Sequence, residues 1–293
     1  MRMVQNKQIL MIAIILCALS AGILLYLFTD KSLPPDQKIH IRYTVSVQNP
    51  TSHVIKNATV QVRGPIEKTA FQQRIRIDAD RPFKSIVQPY ESILHFKWDI
   101  IPPYATKIMT VRSDIELWKE PRKTDTNDLT EYLEPEPMIE SDDAGIKALA
   151  AQLKTVSPQE TIRKIFAWVS EKIVYIGYTK RTRGAAYALR YGEGDCTEYA
   201  HLFVALCRAN DIPARVVGGF VCPNSGVLDL GDYHNWAEFY HNGRWHVADP
   251  QRKNLMSEQS TYIAFQIVRP SKQDKGSIIV DAGAKELKVS LNR

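Results

Sequence analysis

The sequence predicts an α+β protein carried behind one membrane-spanning helix, and three observations predict it. Residues Ile9 to Phe28 are 20 uncharged, mostly apolar residues in a row, long enough as a helix to cross a hydrocarbon core of about 30 Å. Between residues 38 and 113 apolar side chains recur with period two in short runs, the pattern of half-buried strands. Beyond residue 143, capped stretches with a helical apolar stripe alternate with further strand-like runs.

The chain has 293 residues, more than one hydrophobic core usually serves, so two folded regions are expected. Apolar residues make up 44% and charged residues 24%, which excludes collagenous, coiled-coil and wholly disordered classes. Four Cys are too few for a disulfide scaffold. The net charge of +6 is unevenly spread: residues 119–145 carry three basic and nine acidic side chains, while residues 31–118 and 146–293 are net +5 and +6. With Pro121, Pro135 and Pro137, the acidic stretch reads as a linker of solvated acids. The expected organisation is an anchor over 1–30, a β-sandwich domain over 37–116, an acidic Pro-containing linker over 117–142 and a second domain over 143–293. Lys and Arg do not cluster with aromatic residues, so no nucleic-acid partner is expected.

Arg2 and Lys7 precede the apolar stretch, and Asp30, Lys31 and Asp36 follow it. The positive-inside rule puts the short N-terminus in the cytoplasm and the rest outside, giving a single-pass protein of the cell membrane. A cleaved signal peptide competes through Ala18-Leu19-Ser20, but it would leave Gly22 to Phe28 as an apolar new terminus. Cys17 lies within the span. Cys196, Cys207 and Cys222 lie beyond it, an odd number with no C-x-x-C spacing, so neither a metal nor a redox pair is expected.

In the first folded region, Ile39, Ile41, Tyr43, Val45 and Val47 alternate with polar residues until Asn49-Pro50 ends the strand. Val60 to Val62, Ile75 to Ile77, Leu94 to Trp98 and Ile108 to Val111 are further strands separated by turn residues, which suggests an antiparallel sandwich. His40, His53 and His95 read as surface or half-buried histidines without chemistry.

The second region opens with Ser141-Asp142-Asp143 before a helix striped by Ile146, Leu149 and Leu153. Ser157-Pro158-Gln159-Glu160 is a capping box with proline in the first turn, followed by Ile162, Ile165, Phe166 and Val169 at helical spacing. Trp168 reads as core. Gly192 and Gly194 then permit an unusual backbone path just before Cys196, after which Ala200, Phe203, Val204, Leu206 and Cys207 continue as a helix. Cys196 therefore sits at or near a helix N-terminus, where exposed N–H groups and the dipole stabilise a thiolate and can donate to an oxyanion. Cys207 falls on the apolar part of that helix and reads as core; Cys222 precedes a proline in a loop.

A thiolate nucleophile needs a base and the base an orienting group. Asn242-Gly243 is a strong hairpin signal between aromatic-rich flanks. With a two-residue loop His241 opposes Arg244 and Asp249 opposes Trp236, so His234 lies one diagonal step from Asp249 on the same face, about 7–8 Å apart at the backbone. A four-residue loop keeps this register; a three-residue loop puts the two on opposite faces. Cys196, His234 and Asp249 thus form a candidate triad. The rivals fit less well: His241 sits at the turn, His246 faces away from Asp249, His201 lies well round the helix from Cys196 and Glu238 reads as solvated or salt-bridged.

At this point residues 158–251 resemble the transglutaminase-like superfamily. The resemblance rests on Gly192-Glu193-Gly194-Asp195-Cys196-Thr197-Glu198-Tyr199-Ala200, on the passage Arg208 to Phe220, on His234-Asn235-Trp236-Ala237-Glu238 and on Gly243 to Pro250. It implies a papain-like core in which helices pack on an antiparallel sheet. The sandwich and Tyr132-Leu133-Glu134-Pro135 are similar to bacterial members with an immunoglobulin-like N-terminal domain. The implied chemistry is a Cys196 acyl-enzyme formed from a protein or peptide amide, with His234 protonating the leaving amine and Asp249 holding the His234 tautomer. Calcium-dependent crosslinkers of the family carry a further aromatic oxyanion group upstream; Trp168 and Tyr175 are both imperfectly placed for it. Transamidation, deamidation and peptide cleavage therefore stay open, and no cofactor or metal is expected. The competing expectation is a catalytically silent scaffold that binds a partner at the cell envelope.

Overall fold

Twelve residues of period-two sequence, Gln37–Gln48, form the first strand (β1), and its buried positions are the apolar ones, Ile39, Ile41, Tyr43, Val45 and Val47. The computed structural model describes residues 34–123, 128–269 and 278–292. The apolar stretch Ile9 to Phe28 lies outside the described residues. Among the described residues no helix is long and apolar enough to cross a membrane.

Strands β2 (Ile55–Gly64), β3 (Gln72–Ala79), β4 (Phe83–Gln88), β5 (Glu91–Ile101) and β6 (Thr106–Leu117) follow β1. They sort into two antiparallel layers, β1, β6 and β3 in one and β2, β5 and β4 in the other. Both layers contribute to one core, which includes Tyr43, Val45, Val60, Phe96, Trp98 and Val111. The second half of the chain supplies helices α1 (Ala144–Leu153), α2 (Pro158–Lys172), α3 (Ala185–Tyr191) and α4 (Cys196–Arg208). Its strands are β7 (Val174–Tyr175), β8 (Glu193–Gly194), β9 (Ala214–Val221), β10 (Gly226–Val227), β11 (His234–His241), β12 (Arg244–Asp249), β13 (Asn254–Leu255), β14 (Tyr262–Val268), β15 (Ile279–Ala282) and β16 (Lys288–Asn292).

The caps read from sequence are in place. Asp143 accepts from the backbone of Gly145 and Ile146 to start α1, and Ser157 accepts from Glu160 N to start α2. Helix α4 packs on β9 and β11, with Phe203 against Phe239 at 6.1 Å between ring centroids, and α1 to α3 pack on α4. This mixed helix-and-sheet core is rich in strand.

The two regions that the sequence separates are joined by strand pairing. The order β13-β12-β11-β9-β14-β5-β2-β15 makes one sheet of elements from both halves, and residues 35–293 form one compact unit. The first core also takes in Phe220 of β9 and Ile263 and Phe265 of β14, with Phe265 edge-on to Tyr43. A bulge in β14 between Ala264 and Gln266 breaks the ladder. The buried amide of Gln72 meets the groups there: it donates to Ile66 O at 2.6 Å and Ala264 O at 3.1 Å, and accepts from Ala264 N at 2.8 Å. Buried backbone groups need such partners, and here they come from 192 residues away in the chain.

The acidic stretch is not a solvated spacer, which corrects the reading of its composition. Glu136 pairs with Arg208 at 2.9 Å and Arg269 at 3.3 Å, Glu131 accepts from Tyr90 Oη at 2.7 Å, and Glu140 caps α3 through Ala185 N at 3.0 Å. Tyr132 is buried edge-on against Trp245. These partners lie up to 133 residues away in the chain, so the sequence window alone could not reveal them.

Candidate active site

The nucleophile candidate is placed by a cap. Asp195 precedes α4 with an extended backbone, and its Oδ1 accepts from Thr197 N at 2.8 Å. Glu198 returns the bond, accepting from Asp195 N at 3.1 Å. This reciprocal capping box fixes the turn and sets Cys196 as the first residue of α4, half-buried, with its own backbone N–H at the helix start. The signal Asp-x-x-Glu at 195–198 is of the same kind as the Ser-x-x-Glu that starts α2.

The imidazole and carboxylate are placed by the β11–β12 hairpin. Asn242 and Gly243 have φ of 50° and 78°, as a two-residue hairpin turn requires. His241 opposes Arg244 and Ala237 opposes Ala248, so His234 and Asp249 share a face. His234 Nε2 lies 2.7 Å from Asp249 Oδ2, and both side chains are buried. Asp249 is held in turn: Tyr262 Oη donates to Oδ2 at 3.0 Å and Arg252 N to Oδ1 at 3.2 Å. Asn254 Nδ2 donates to Tyr262 Oη at 3.0 Å. Sequence reasoning did not reach Tyr262 or Asn254, which come from β14 and β13 and adjoin Asp249 only through the fold.

On the other side of β11, His234 opposes Gly219 of β9. A Cβ at Gly219 would lie 2.0 Å from Ile263 O, so only glycine lets β14 run this close behind the imidazole. Asn235 Nδ2 donates to Thr197 Oγ1 at 3.0 Å and ties the start of β11 to the first turn of α4. That bond joins the neighbour of His234 to the neighbour of Cys196.

Burial opposes a charged His234 ring, but hydrogen bonds and charge from Asp249 and Cys196 outweigh it and raise its pKa to about 9. With Nε2 engaged by Asp249, Nδ1 is the nitrogen left for Cys196. At neutral pH His234 is therefore the charged partner beside Cys196. Burial pushes the Cys207 thiol far up, and burial with Asp232 nearby pushes Cys222 up to about 11. Neither is a competing nucleophile.

The rival bases are disposed elsewhere. His201 is fully buried on α4, and burial drives it down to about 4. His246 and His241 are both lowered by burial, and His246 Nε2 contacts His241 O at 3.3 Å. Glu238 is buried and salt-bridged to Arg215 at 2.6 Å. Trp168 packs against the helical core. Tyr175 is exposed, and its hydroxyl is raised by burial of its ring and by the charges of Cys196 and Asp195. Among the described residues no group of His, Cys, Asp and Glu is arranged to hold a metal ion.

A half-buried thiol at a helix start thus lies near an imidazole held by a carboxylate across a hairpin. Residues 147–250 match the family model of the transglutaminase-like superfamily, and this part of the chain is a transglutaminase-like domain. The structure is similar to that of a candidate cysteine protease from Cytophaga hutchinsonii, with a TM-score of 0.58 and 18% identity, covering 87% of this chain and 92% of that one. It is also similar to the periplasmic domain of TgpA from Pseudomonas aeruginosa, with a TM-score of 0.38 and 15% identity, covering 72% and 88%. In sequence, 121 residues are 28% identical to the uncharacterised protein ML0607 of Mycobacterium leprae (strain TN), covering 40% of this chain. The match spans 42% of that relative's length.

Proposed function

We propose that this protein is a membrane-anchored cysteine enzyme that forms an acyl-enzyme from protein or peptide amides on the extracytoplasmic side. The observation that carries the reading is the 2.7 Å bond between His234 and the buried Asp249, with Cys196 close enough to raise the same imidazole. In this reading the Cys196 thiolate attacks the amide carbonyl, and the Cys196 N–H at the start of α4 donates to the oxyanion. The His234 imidazolium gives its proton to the leaving amine or ammonia as the C–N bond breaks. A second nucleophile, a primary amine or water, then takes the acyl group from sulfur and returns a proton to His234. Asp249 keeps the ring oriented and its charged form stabilised throughout. Residues 9–28 are read as the anchor, and the two-layer strand region before residue 117 as an immunoglobulin-like module.

Mass spectrometry of a glutamine-containing peptide incubated with the protein, with and without a primary amine, tests this. An amine adduct, a hydrolysed carboxamide or backbone scission identifies the acceptor and the bond cleaved. Each product should vanish in Cys196→Ala. A product that persists in that variant, or a purified protein with no thioester on Cys196 under acid quench, would overturn the reading.

A further inference from the structure

The segment from β7 to α3 is built onto the start of α4. Asp195 Oδ2 accepts from Thr179 N at 2.9 Å and from Thr179 Oγ1 at 3.0 Å, and Glu198 Oε1 accepts from Arg183 N at 2.8 Å. The Arg183 guanidinium lies 3.6 Å from Glu198, donates to Tyr187 Oη at 2.7 Å and stacks over that ring. The acids around Cys196 are thus turned inward to hold this segment, and Glu193 is likewise engaged by Tyr187 Oη at 2.7 Å.

What the segment turns outward is different. Tyr175, Ile176 and Tyr178 are exposed, Tyr178 by 82%. Lys180 and Arg181 are exposed and carry no ion pair among the described residues. Strand β7 pairs only with β8 among the described strands; Val174 N donates to Gly192 O at 2.8 Å and Ile176 N to Gly194 O at 3.2 Å. Alternation along a strand turns the N–H and C=O of Tyr175 to the opposite edge. The result is an open backbone edge flanked by aromatic and cationic side chains, next to the residue that precedes the nucleophile turn.

We infer that residues 174–181 are the recognition strip of this site and that its occupant is an extended acidic polypeptide segment. The inference rests on the reading of Cys196 as nucleophile. An extended chain pairs with the free edge of β7 through its backbone, its apolar side chains lie on Tyr175 and Tyr178, and its carboxylates meet Lys180 and Arg181. A lipid headgroup surface would use the same cations but has no use for the strand edge, which is why the polypeptide is the favoured partner.

The test is binding to the full chain carrying Cys196→Ala, which separates recognition from turnover. Fluorescent glutamine peptides of equal length, flanked by Glu, Ser or Lys, are titrated by anisotropy, with phosphatidylglycerol vesicles as a further arm. The acidic peptide should bind about tenfold tighter than the neutral one at low salt, and this preference should fall as salt rises. Lys180→Glu with Arg181→Glu, both at exposed positions, should reverse the order of the acidic and basic peptides. Equal binding of the three peptides, a preference untouched by the double reversal, or vesicle binding that the acidic peptide does not displace would each overturn the inference. Acidic-peptide binding by a protein whose wild type forms no thioester would instead overturn the proposed function and leave the recognition strip standing.

Discussion

Replacing Asp249 by Asn keeps the shape of the side chain and removes its charge. In the native structure His234 is buried, and its pKa stands at about 9 because Asp249 at 2.7 Å and Cys196 outweigh desolvation. A hydrogen bond to a charged partner contributes about 1.5–3 kcal/mol, and one pKa unit corresponds to about 1.4 kcal/mol. Losing the charge of Asp249 should therefore lower His234 by about one to two units, to roughly 7–8, with the contribution of Cys196 kept. With the amide oxygen at the Oδ2 position, His234 and Tyr262 keep their acceptor and only the partly buried Arg252 N loses its own, so the fold should survive. The assay is a pH titration of the histidine ring signals by 15N-edited NMR, with His234 assigned from His234→Gln. A His234 midpoint that stays within about 0.3 unit of the wild type would refute the assignment of Asp249 as the group that holds the imidazolium.

Further outcomes follow from the same structure. His234 has a folded pKa raised from 6.5 to about 9, so its stabilising contribution is complete below pH 6.5 and is lost as pH rises through 9. The wild type should lose about 3 kcal/mol more than His234→Gln between pH 6 and 10 in urea unfolding, and equal losses would contradict the linkage. Iodoacetamide near pH 7 should label Cys196 faster than Cys207 or Cys222, whose thiols burial pushes up; peptide mapping showing equal labelling in the folded protein would count against the site. Gln72→Leu leaves Ile66 O and the Ala264 groups at the bulge without their side-chain partner and should cost about 2–4 kcal/mol, read as a fall in the urea midpoint. Gly219→Ala drives a methyl group against Ile263 O, 2.0 Å from the ideal Cβ position, and should destabilise by on the order of 3 kcal/mol in thermal unfolding.

Interactions between residues close in the chain set the local pieces. Apolar alternation in Gln37–Gln48 and the caps at Asp143 and Ser157 depend on residues a few positions apart, and those interactions form wherever the chain is placed. Asn242-Gly243 is of the same kind: a left-handed pair of residues permits one tight turn, and the turn sets which side chains share a face. The nearness of His234 and Asp249 was therefore legible from a hairpin of 15 residues' separation. Tertiary structure decided what lies across long loops. The sharing of one sheet by β5 and β14, the seating of Gln72 in a bulge 192 residues away, the capture of Glu136 by Arg208 and Arg269, and the support of Asp249 by Tyr262 all need partners from different elements. Composition made residues 119–145 look like a solvated spacer because charge is counted without its counter-charge. Only the packed chain brings the arginines to those acids, and burial turns each such meeting into a specific bond.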